Sequence, residues 1–283
     1  MTSAGLLERS DNLAWAGTVV FPTAAGLAAT RTASEPELRV LVPGEERMLH
    51  RLLVAEAALG MLERGAPQGV SVVSERQARA LERADDNGAS ARLFADSVGA
   101  RTSRPSLDAA GRSRWWGVPL EADQLHWPDF VAVAGGRLVA VEVEITLKQR
   151  WRLRQVLRGY RSAVERGHIT QVLWLVTPDV QMQLEGWRGG DGWHDGLLQE
   201  LGLLPAGVPD WTEKGRPVVV RPVQPIDDGL VYALSQRVLA ASMRSSYRQW
   251  KQWRRAWEAS ETVLDFEGWL AAPGTIARLR SRG

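Results

Sequence analysis

Four residues in the middle of the chain combine acidic and basic side chains at spacings that could bind a metal ion and a phosphate. They are Asp129, Glu142, Glu144 and Lys148. The pair Gly135-Gly136 lies between two valine-rich runs, and a Gly-Gly centre is a strong signal for a two-residue hairpin turn. A turn at this position places Asp129 directly opposite Glu142 on the neighbouring strand.

These acids predict a cation site. Carboxylates on facing strand positions have Cβ atoms about 4.5 to 5.5 Å apart and repel each other unless a cation lies between them. Because side chains alternate along a strand, Glu142, Glu144 and Lys148 share one face, whereas the valines between them form a core face. Carboxylate oxygens suit Mg²⁺ or Mn²⁺ better than zinc. The alternative is an ordinary solvated strand face with Glu-Lys pairs along it.

The hydrophobic pattern predicts an α/β fold that positions these residues. The expected elements are a helix over 44–64, a strand over 70–73, a helix over 75–83 followed by a loop to 112, strands over 130–134 and 138–147, a helix over 149–165 and a strand over 172–176. Gly167 should close the helix over 149–165. The acidic strand should therefore lie centrally in a sheet covered by helices.

Composition limits the function classes. The 283 residues are 45% hydrophobic and 24% charged, as in an average soluble globular protein. The absence of cysteine excludes disulfides, thiolate zinc sites and a cysteine nucleophile. The N-terminus has no secretory pattern, and Gly and Pro interrupt the longest uncharged run, so we expect a cytoplasmic protein without a membrane span.

Arginine-rich stripes are candidate DNA-binding surfaces. Only three of the 35 basic residues are lysines, a bias that follows from either a GC-rich genome or nucleic-acid binding. One stripe lies on the helix after the acidic strand, and the other on a helix predicted over 230–258. Their members are Arg150, Arg154, Arg158 and Arg161 in the first, and Arg244, Arg248, Lys251 and Arg255 in the second. A solvated basic face is the alternative for each.

The motifs resemble a known nuclease superfamily. The PD-(D/E)XK nuclease core resembles this chain in two segments, His126-Trp127-Pro128-Asp129 and Val141 to Lys148. The predicted order of helix, three strands, helix and strand is part of the same resemblance. More closely, the chain is similar to the replication-relaxation family of actinobacterial plasmids and mobile elements. Three further segments carry that likeness: Leu49 to Glu56, Ser74-Glu75-Arg76 and Thr23-Ala24-Ala25-Gly26. The resemblance covers about residues 15 to 180.

The resemblance implies a DNA-processing protein, namely a Mg²⁺-dependent endodeoxyribonuclease that nicks or cleaves DNA during replication or relaxation. Asp129 and Glu142 would be metal ligands. Glu144 stands where the superfamily usually has lysine, and would add a ligand or act as a base. Lys148 could supply the missing positive charge to the scissile phosphate. His126 and Glu56 are accessory candidates.

The same resemblance divides the chain into three parts. Residues 1–40 would be a truncated, winged-helix-like fragment, either degenerate or beginning upstream, because few residues precede the strand predicted over 15–21. Residues 41–180 would be the nuclease-like core. Residues 181–283 would be a mainly helical accessory region, with one strand predicted over 217–223.

The expected partners are DNA and other replication or transfer proteins of the element, with a homodimer as a further candidate and no membrane contact. One alternative is a catalytically inactive DNA-binding factor that retains the nuclease fold. A protein-interaction scaffold, which would show no salt-dependent DNA affinity, is another.

Overall fold

A computed structural model describes most of the N-terminal three quarters of the chain and short pieces beyond it. The described residues are 7–10, 19–30, 45–83, 89–100, 104–121, 124–189, 192–204, 216–225, 255–260, 262 and 269. The chain divides into two compact units, one comprising 1–12 and 18–224, the other 13–17 and 225–283. The candidate site lies entirely within the first unit.

The first unit contains both helices and strands. The helices are α1 (Ala24–Thr30), α2 (Glu45–Gly65), α3 (Glu75–Arg83), α4 (Ala89–Ser97), α5 (Arg150–Glu165), α6 (Pro178–Glu185) and α7 (Leu197–Glu200). The strands are β1 (Leu7–Ser10), β2 (Val19–Pro22), β3 (Ser71–Ser74), β4 (Ser106–Leu107), β5 (Ser113–Arg114), β6 (Val118–Pro119), β7 (Leu125–His126), β8 (Phe130–Ala134), β9 (Arg137–Glu144), β10 (Gln171–Val176), β11 (Trp187–Gly189), β12 (Gly192–His194) and β13 (Val218–Pro222).

A mixed five-stranded sheet organises this unit. Its strand order is β13-β10-β9-β8-β3, with β13, β10 and β9 parallel and β9, β8 and β3 antiparallel. Strand β9 is central, as predicted for the acidic strand. The predicted order of helix, three strands, helix and strand is confirmed by α2, β3, β8, β9, α5 and β10. The fifth strand, β13, comes from the region predicted as accessory.

The hairpin between β8 and β9 has the predicted register. Phe130 pairs with Val141 and Ala134 with Arg137, so the turn is Gly135-Gly136. Both glycines have positive φ, 54° and 78°, which a tight hairpin turn of this type requires. The next position outward brings Asp129 opposite Glu142. The hairpin therefore fixes the relative placement of the two acids.

The acidic strand ends earlier than the sequence predicts. β9 stops at Glu144, so Thr146 and Lys148 lie in an exposed connection and not on the strand. The neighbouring strand β10 ends at Val176, opposite Glu144, and the Thr177 N–H donates to the Glu144 carbonyl as the chain turns into α6. Beyond this point β9 has no partner that could continue the ladder.

Helices bury both faces of the sheet. Leu138 and Ala140 of β9 pack in one core with Leu153 and Leu157 of α5. On β8 and β9, Phe130, Val141 and Val143 are also buried but lie outside this core cluster, and α2 contacts both strands. The face that carries Glu142 is therefore covered as well, as expected for a strand that lies centrally in a sheet covered by helices, and the alternative of a solvated strand face does not fit Glu142 and Glu144.

The outer elements fit the predictions in part. Gly167 has φ 72° just after α5, as expected for a helix-closing glycine, and the Thr23 hydroxyl accepts the Gly26 N–H at the start of α1. The loop predicted after α3 contains α4, whose buried Ala91, Phe94 and Ala95 give it an apolar face. Most of the helix predicted over 230–258, and of the winged-helix-like segment 1–40, lies outside the described residues.

In the part of the chain that the structure describes, no helix is both long and apolar enough to cross a membrane.

Candidate functional site

Several elements end at the same edge of the sheet and bring their polar residues together there. Strand β3 ends at Ser74 opposite Phe130, where β8 begins, and β9 and β10 end beside each other. The first residue of α3, Glu75, donates its backbone N–H to the Asp129 carbonyl at 3.0 Å. This strand-end cluster comprises Glu75, Asp129, Glu142, Glu144 and Lys148.

Backbone and histidine contacts hold the Asp129 carboxylate in place. Its Oδ2 accepts the Val143 N–H at 2.8 Å and lies 3.4 Å from Nε2 of His50. The same His50 nitrogen is 2.8 Å from the Val143 carbonyl oxygen, which requires a proton on Nε2. Burial lowers the pKa of His50, but the hydrogen bond and the charge of Asp129 outweigh it, so the net pKa is raised. Sequence reasoning gave His50 no part in this site.

Glu142 is a buried carboxylate with two partners. It is 5% exposed, and its Oε1 accepts the Tyr160 hydroxyl and lies 2.6 Å from His126 Nε2. Burial, followed by the charge of Glu142, raises the pKa of Tyr160 well above its usual range. The hydroxyl of Tyr160 therefore stays protonated at neutral pH and acts as a hydrogen-bond donor to Glu142.

In the sequence, Tyr160 lies on the apolar face of the helix predicted over 149–165, with Leu153, Leu157 and Val164, and this pattern does not indicate a polar role. A tyrosine on a buried helix face carries a hydroxyl that needs a partner, and that is the one signal the sequence contained. His126, an accessory candidate from the sequence, reaches Glu142 and meets the Tyr160 ring edge to face, with centroids 5.5 Å apart.

Glu144 is 4% exposed and pairs with Lys148. Its Oε1 accepts the N–H and the hydroxyl of Thr146 at 3.2 and 3.0 Å, and its Oε2 contacts Lys148 Nζ. Burial lowers the pKa of Lys148, but the Glu144 charge and hydrogen bond, with the charges of Glu142 and Asp129, raise it overall. Lys148 thus stays charged beside the acids although the strand ends before it.

Glu75 is a fourth acid that lies near the pair. Burial raises the pKa of Glu75, as do the charges of Asp129 and Glu142, while Arg79, 2.6 Å away, opposes them. The sequence pattern includes Glu75 only in a family likeness and gives it no role. Its position follows from the antiparallel pairing of β3 with β8, which a local sequence pattern does not specify.

Glu56 lies elsewhere on α2. It is half-buried and follows His50 by six positions, about 600° around the helix, so the two side chains leave α2 on different sides.

The Asp129 and Glu142 pair fits a hydrated magnesium ion. The bonds described above use Oδ2 and Oε1, and the second oxygens, Oδ1 and Oε2, accept no hydrogen bond from the described residues. Mg²⁺ commonly takes one or two carboxylates and fills its other positions with water. No group of three or more His, Cys, Asp or Glu side chains within the described ranges is arranged to hold a metal. A magnesium ion held by this pair would take its other ligands from water.

The first arginine stripe is engaged by acids of the same chain. Arg150 and Arg154 both pair with Glu200, the latter at 2.7 Å. Arg158 lies 3.4 Å from Glu121, and Arg161 lies 2.8 Å from Glu165. Of the second stripe, Arg255 is exposed in the second unit, and Arg244, Arg248 and Lys251 fall outside the described residues.

No protein-family model matches the sequence, and no curated protein or solved structure shows significant similarity to it.

Proposed function

We propose that this protein is a metal-dependent DNA-processing enzyme that hydrolyses phosphodiester bonds, a Mg²⁺-dependent endodeoxyribonuclease with a PD-(D/E)XK-like core. The observation that carries the proposal is the placement of Asp129 opposite Glu142, one position beyond the Phe130–Val141 pair, with one oxygen of each carboxylate accepting no hydrogen bond from the described residues. The order α2, β3, β8, β9, α5, β10 supports the same superfamily. A role in plasmid or mobile-element replication and relaxation is the corresponding biological proposal.

Each polar residue has a role in this scheme. Asp129 and Glu142 would hold the ion, which when bound would polarise a phosphoryl oxygen and acidify a water molecule. His50 contacts both Asp129 and the Val143 carbonyl, and so fixes the Asp129 carboxylate. Tyr160 donates to Glu142 and fixes the second carboxylate. Lys148 carries its charge at the exposed edge of the cluster, where it would bind the phosphate.

Glu144 has a different place in this scheme from Asp129 and Glu142. Both of its oxygens already have partners, Thr146 and Lys148. It therefore positions the lysine, while the other two acids bind the ion.

One observation favours a second function, a non-catalytic DNA-binding factor. The side chain at position 144 is an acid that neutralises Lys148. A chain that had lost catalysis would retain the fold and its basic surface. In that case neither Asp129 nor Glu142 would be needed for DNA binding.

Supercoiled plasmid tests the proposal. Purified protein should nick or linearise it with Mg²⁺ or Mn²⁺ and leave it intact in EDTA. Asp129→Asn keeps an oxygen that can accept the Val143 N–H but removes the charge, so we expect cleavage to fall about 100-fold or more. Glu142→Gln should have a similar effect.

Glu63→Gln on α2 is the matched control, since Glu63 is an exposed acid, and it should cleave like the natural protein. An absence of ion-dependent cleavage, with salt-sensitive DNA binding unchanged in Asp129→Asn, would replace the enzyme by the binding factor.

A further inference from the structure

Two large apolar side chains are exposed beside the strand-end cluster. Leu147 is 61% exposed and Trp151 is 58% exposed. They lie on either side of the start of α5, and Leu147 directly precedes Lys148, which contacts Glu144. An exposed indole next to a candidate catalytic cluster offers a flat apolar surface to a ligand.

Local hydrogen bonds hold the indole and the connection that carries it. The Trp151 Nε1–H donates to Oε1 of Gln149 at 2.6 Å. The Gln183 side chain of α6 donates to the Lys148 carbonyl at 2.9 Å and fixes the connection to the neighbouring helix. Among the described residues, no aromatic ring or guanidinium stacks on Trp151. The indole N–H is therefore hydrogen-bonded within the chain, and its exposed ring has no stacking partner among the described residues.

The charged residues around this indole are basic and therefore favour an anionic ligand. Lys148, Arg150 and Arg152 lie within three residues of Trp151, and all are exposed. Glu200 neutralises Arg150, but no ion pair of the described residues involves Arg152. An isolated aromatic ring among cations is typical of surfaces that bind a nucleic-acid strand, where the base stacks and the phosphate is neutralised.

We propose that Trp151, supported by Leu147, stacks on an unpaired nucleobase of DNA beside the phosphate that Lys148 contacts. This inference rests on the proposed function and gives it a substrate class, DNA with a single-stranded or frayed segment at the cleavage site. Paired and stacked bases in a duplex present no free face to an indole. Trp151 therefore discriminates unpaired from paired DNA, and because every base has a π face it does so without sequence preference.

Binding measurements on single-stranded and duplex DNA test this inference. Fluorescence anisotropy with a labelled oligonucleotide of about 20 nucleotides, single-stranded or annealed, would be measured in Ca²⁺ or EDTA to avoid cleavage. Trp151→Ala should weaken single-strand binding about tenfold and duplex binding less than about twofold. Trp151→Phe, which keeps a planar ring, should retain most of the single-strand affinity.

The matched control is Trp187→Ala. Trp187 is 47% exposed, but its ring already stacks on His194, with centroids 4.2 Å apart. This variant should bind both DNA forms like the natural protein. The inference is overturned if Trp151→Ala behaves like Trp187→Ala, or if it weakens duplex and single-strand binding equally.

The outcomes separate the two proposals. If the natural protein binds and cleaves DNA but Trp151→Ala is unaffected, the stacking role alone fails. If the natural protein binds neither form of DNA at any salt concentration, the proposed function fails and the stacking role fails with it.

Discussion

At the scale of single residues, Glu142 is a buried acid that is hydrogen-bonded through only one of its two oxygens within the described chain. A charged carboxylate in a core costs free energy unless it is hydrogen-bonded. Here the Tyr160 hydroxyl and His126 satisfy one oxygen, and the other accepts no hydrogen bond from the part of the chain that the structure describes. The arrangement fixes the side chain without using its whole capacity to bind a cation.

Tyr160→Phe tests this arrangement through stability. Removal of the hydroxyl leaves Glu142 with one donor fewer in a buried position, so we expect the free energy of unfolding to fall by about 1–3 kcal/mol. Urea denaturation of the natural and variant proteins measures the change.

A double-mutant cycle assigns the effect to this pair. In a Glu142→Gln background the acceptor is uncharged, and Tyr160→Phe should cost less than about 1 kcal/mol. An equal cost in both backgrounds would show that the Tyr160 hydroxyl stabilises the protein for a reason unrelated to the acid.

At the scale of elements, the turn between α5 and β10 contains a buried histidine, His168, that makes no hydrogen bond to the strand-end cluster among the described residues. His168 is buried, and its Nδ1 lies 2.8 Å from the Arg104 carbonyl oxygen, so the neutral ring donates to that oxygen. Burial lowers the pKa of His168 from 6.5 to about 4, and the bond to Arg104 opposes this only in part. The ring therefore stays neutral wherever the protein is folded near neutral pH.

This histidine predicts a specific loss of stability in mild acid. As the pH falls from 6.5 towards 4, the unfolded chain binds a proton at His168 and the folded chain does not. Stability should therefore decrease over this range, by about 3 kcal/mol from this group at the acid end. Urea unfolding at several pH values measures the slope.

His168→Asn is the matched variant. Its amide can still donate to the Arg104 carbonyl but cannot titrate, so its stability should depend less on pH below 6.5. His50 and His126 are present in both proteins, so their contributions cancel in the comparison. Parallel pH profiles for the two proteins would refute the role of His168.

At the scale of the whole molecule, charges nearly balance, with 35 basic and 33 acidic residues. In the first arginine stripe this balance is local, because Arg150 and Arg154 share Glu200. A DNA phosphate would compete with that carboxylate for the same guanidinium groups. Under the proposed function, affinity for DNA would therefore be limited by the acids of the protein as well as promoted by its arginines.

Glu200→Gln should strengthen DNA binding by freeing two cations. We expect a gain of about threefold to tenfold at low salt and a steeper fall of affinity with salt concentration, because more counterions are released. Anisotropy titrations at several salt concentrations measure both, with Glu63→Gln as the control for loss of an exposed acid. An unchanged affinity would assign the stripe to structure and not to DNA contact.

The sequence by itself determined the local features of this protein. The alternating valines and the Gly135-Gly136 turn predict the hairpin and its register, and the amphipathic pattern of α5 predicts the helix after it. The hairpin and the helix can be predicted because both depend on neighbours along the chain. The opposition of Asp129 and Glu142 follows from that register alone. The exposed connection after Glu144 was not foreseen, because it depends on where β10 ends.

Only the tertiary structure decided what surrounds the acids. His50, Glu75 and Tyr160 come from three separate helices, and each reaches the cluster because β3, β8 and β9 pair in one sheet with helices on both faces. The pairing of the arginine stripe with Glu200 depends likewise on α7 packing near α5. Such contacts join residues far apart in the chain, and no periodicity or spacing in the sequence encodes them.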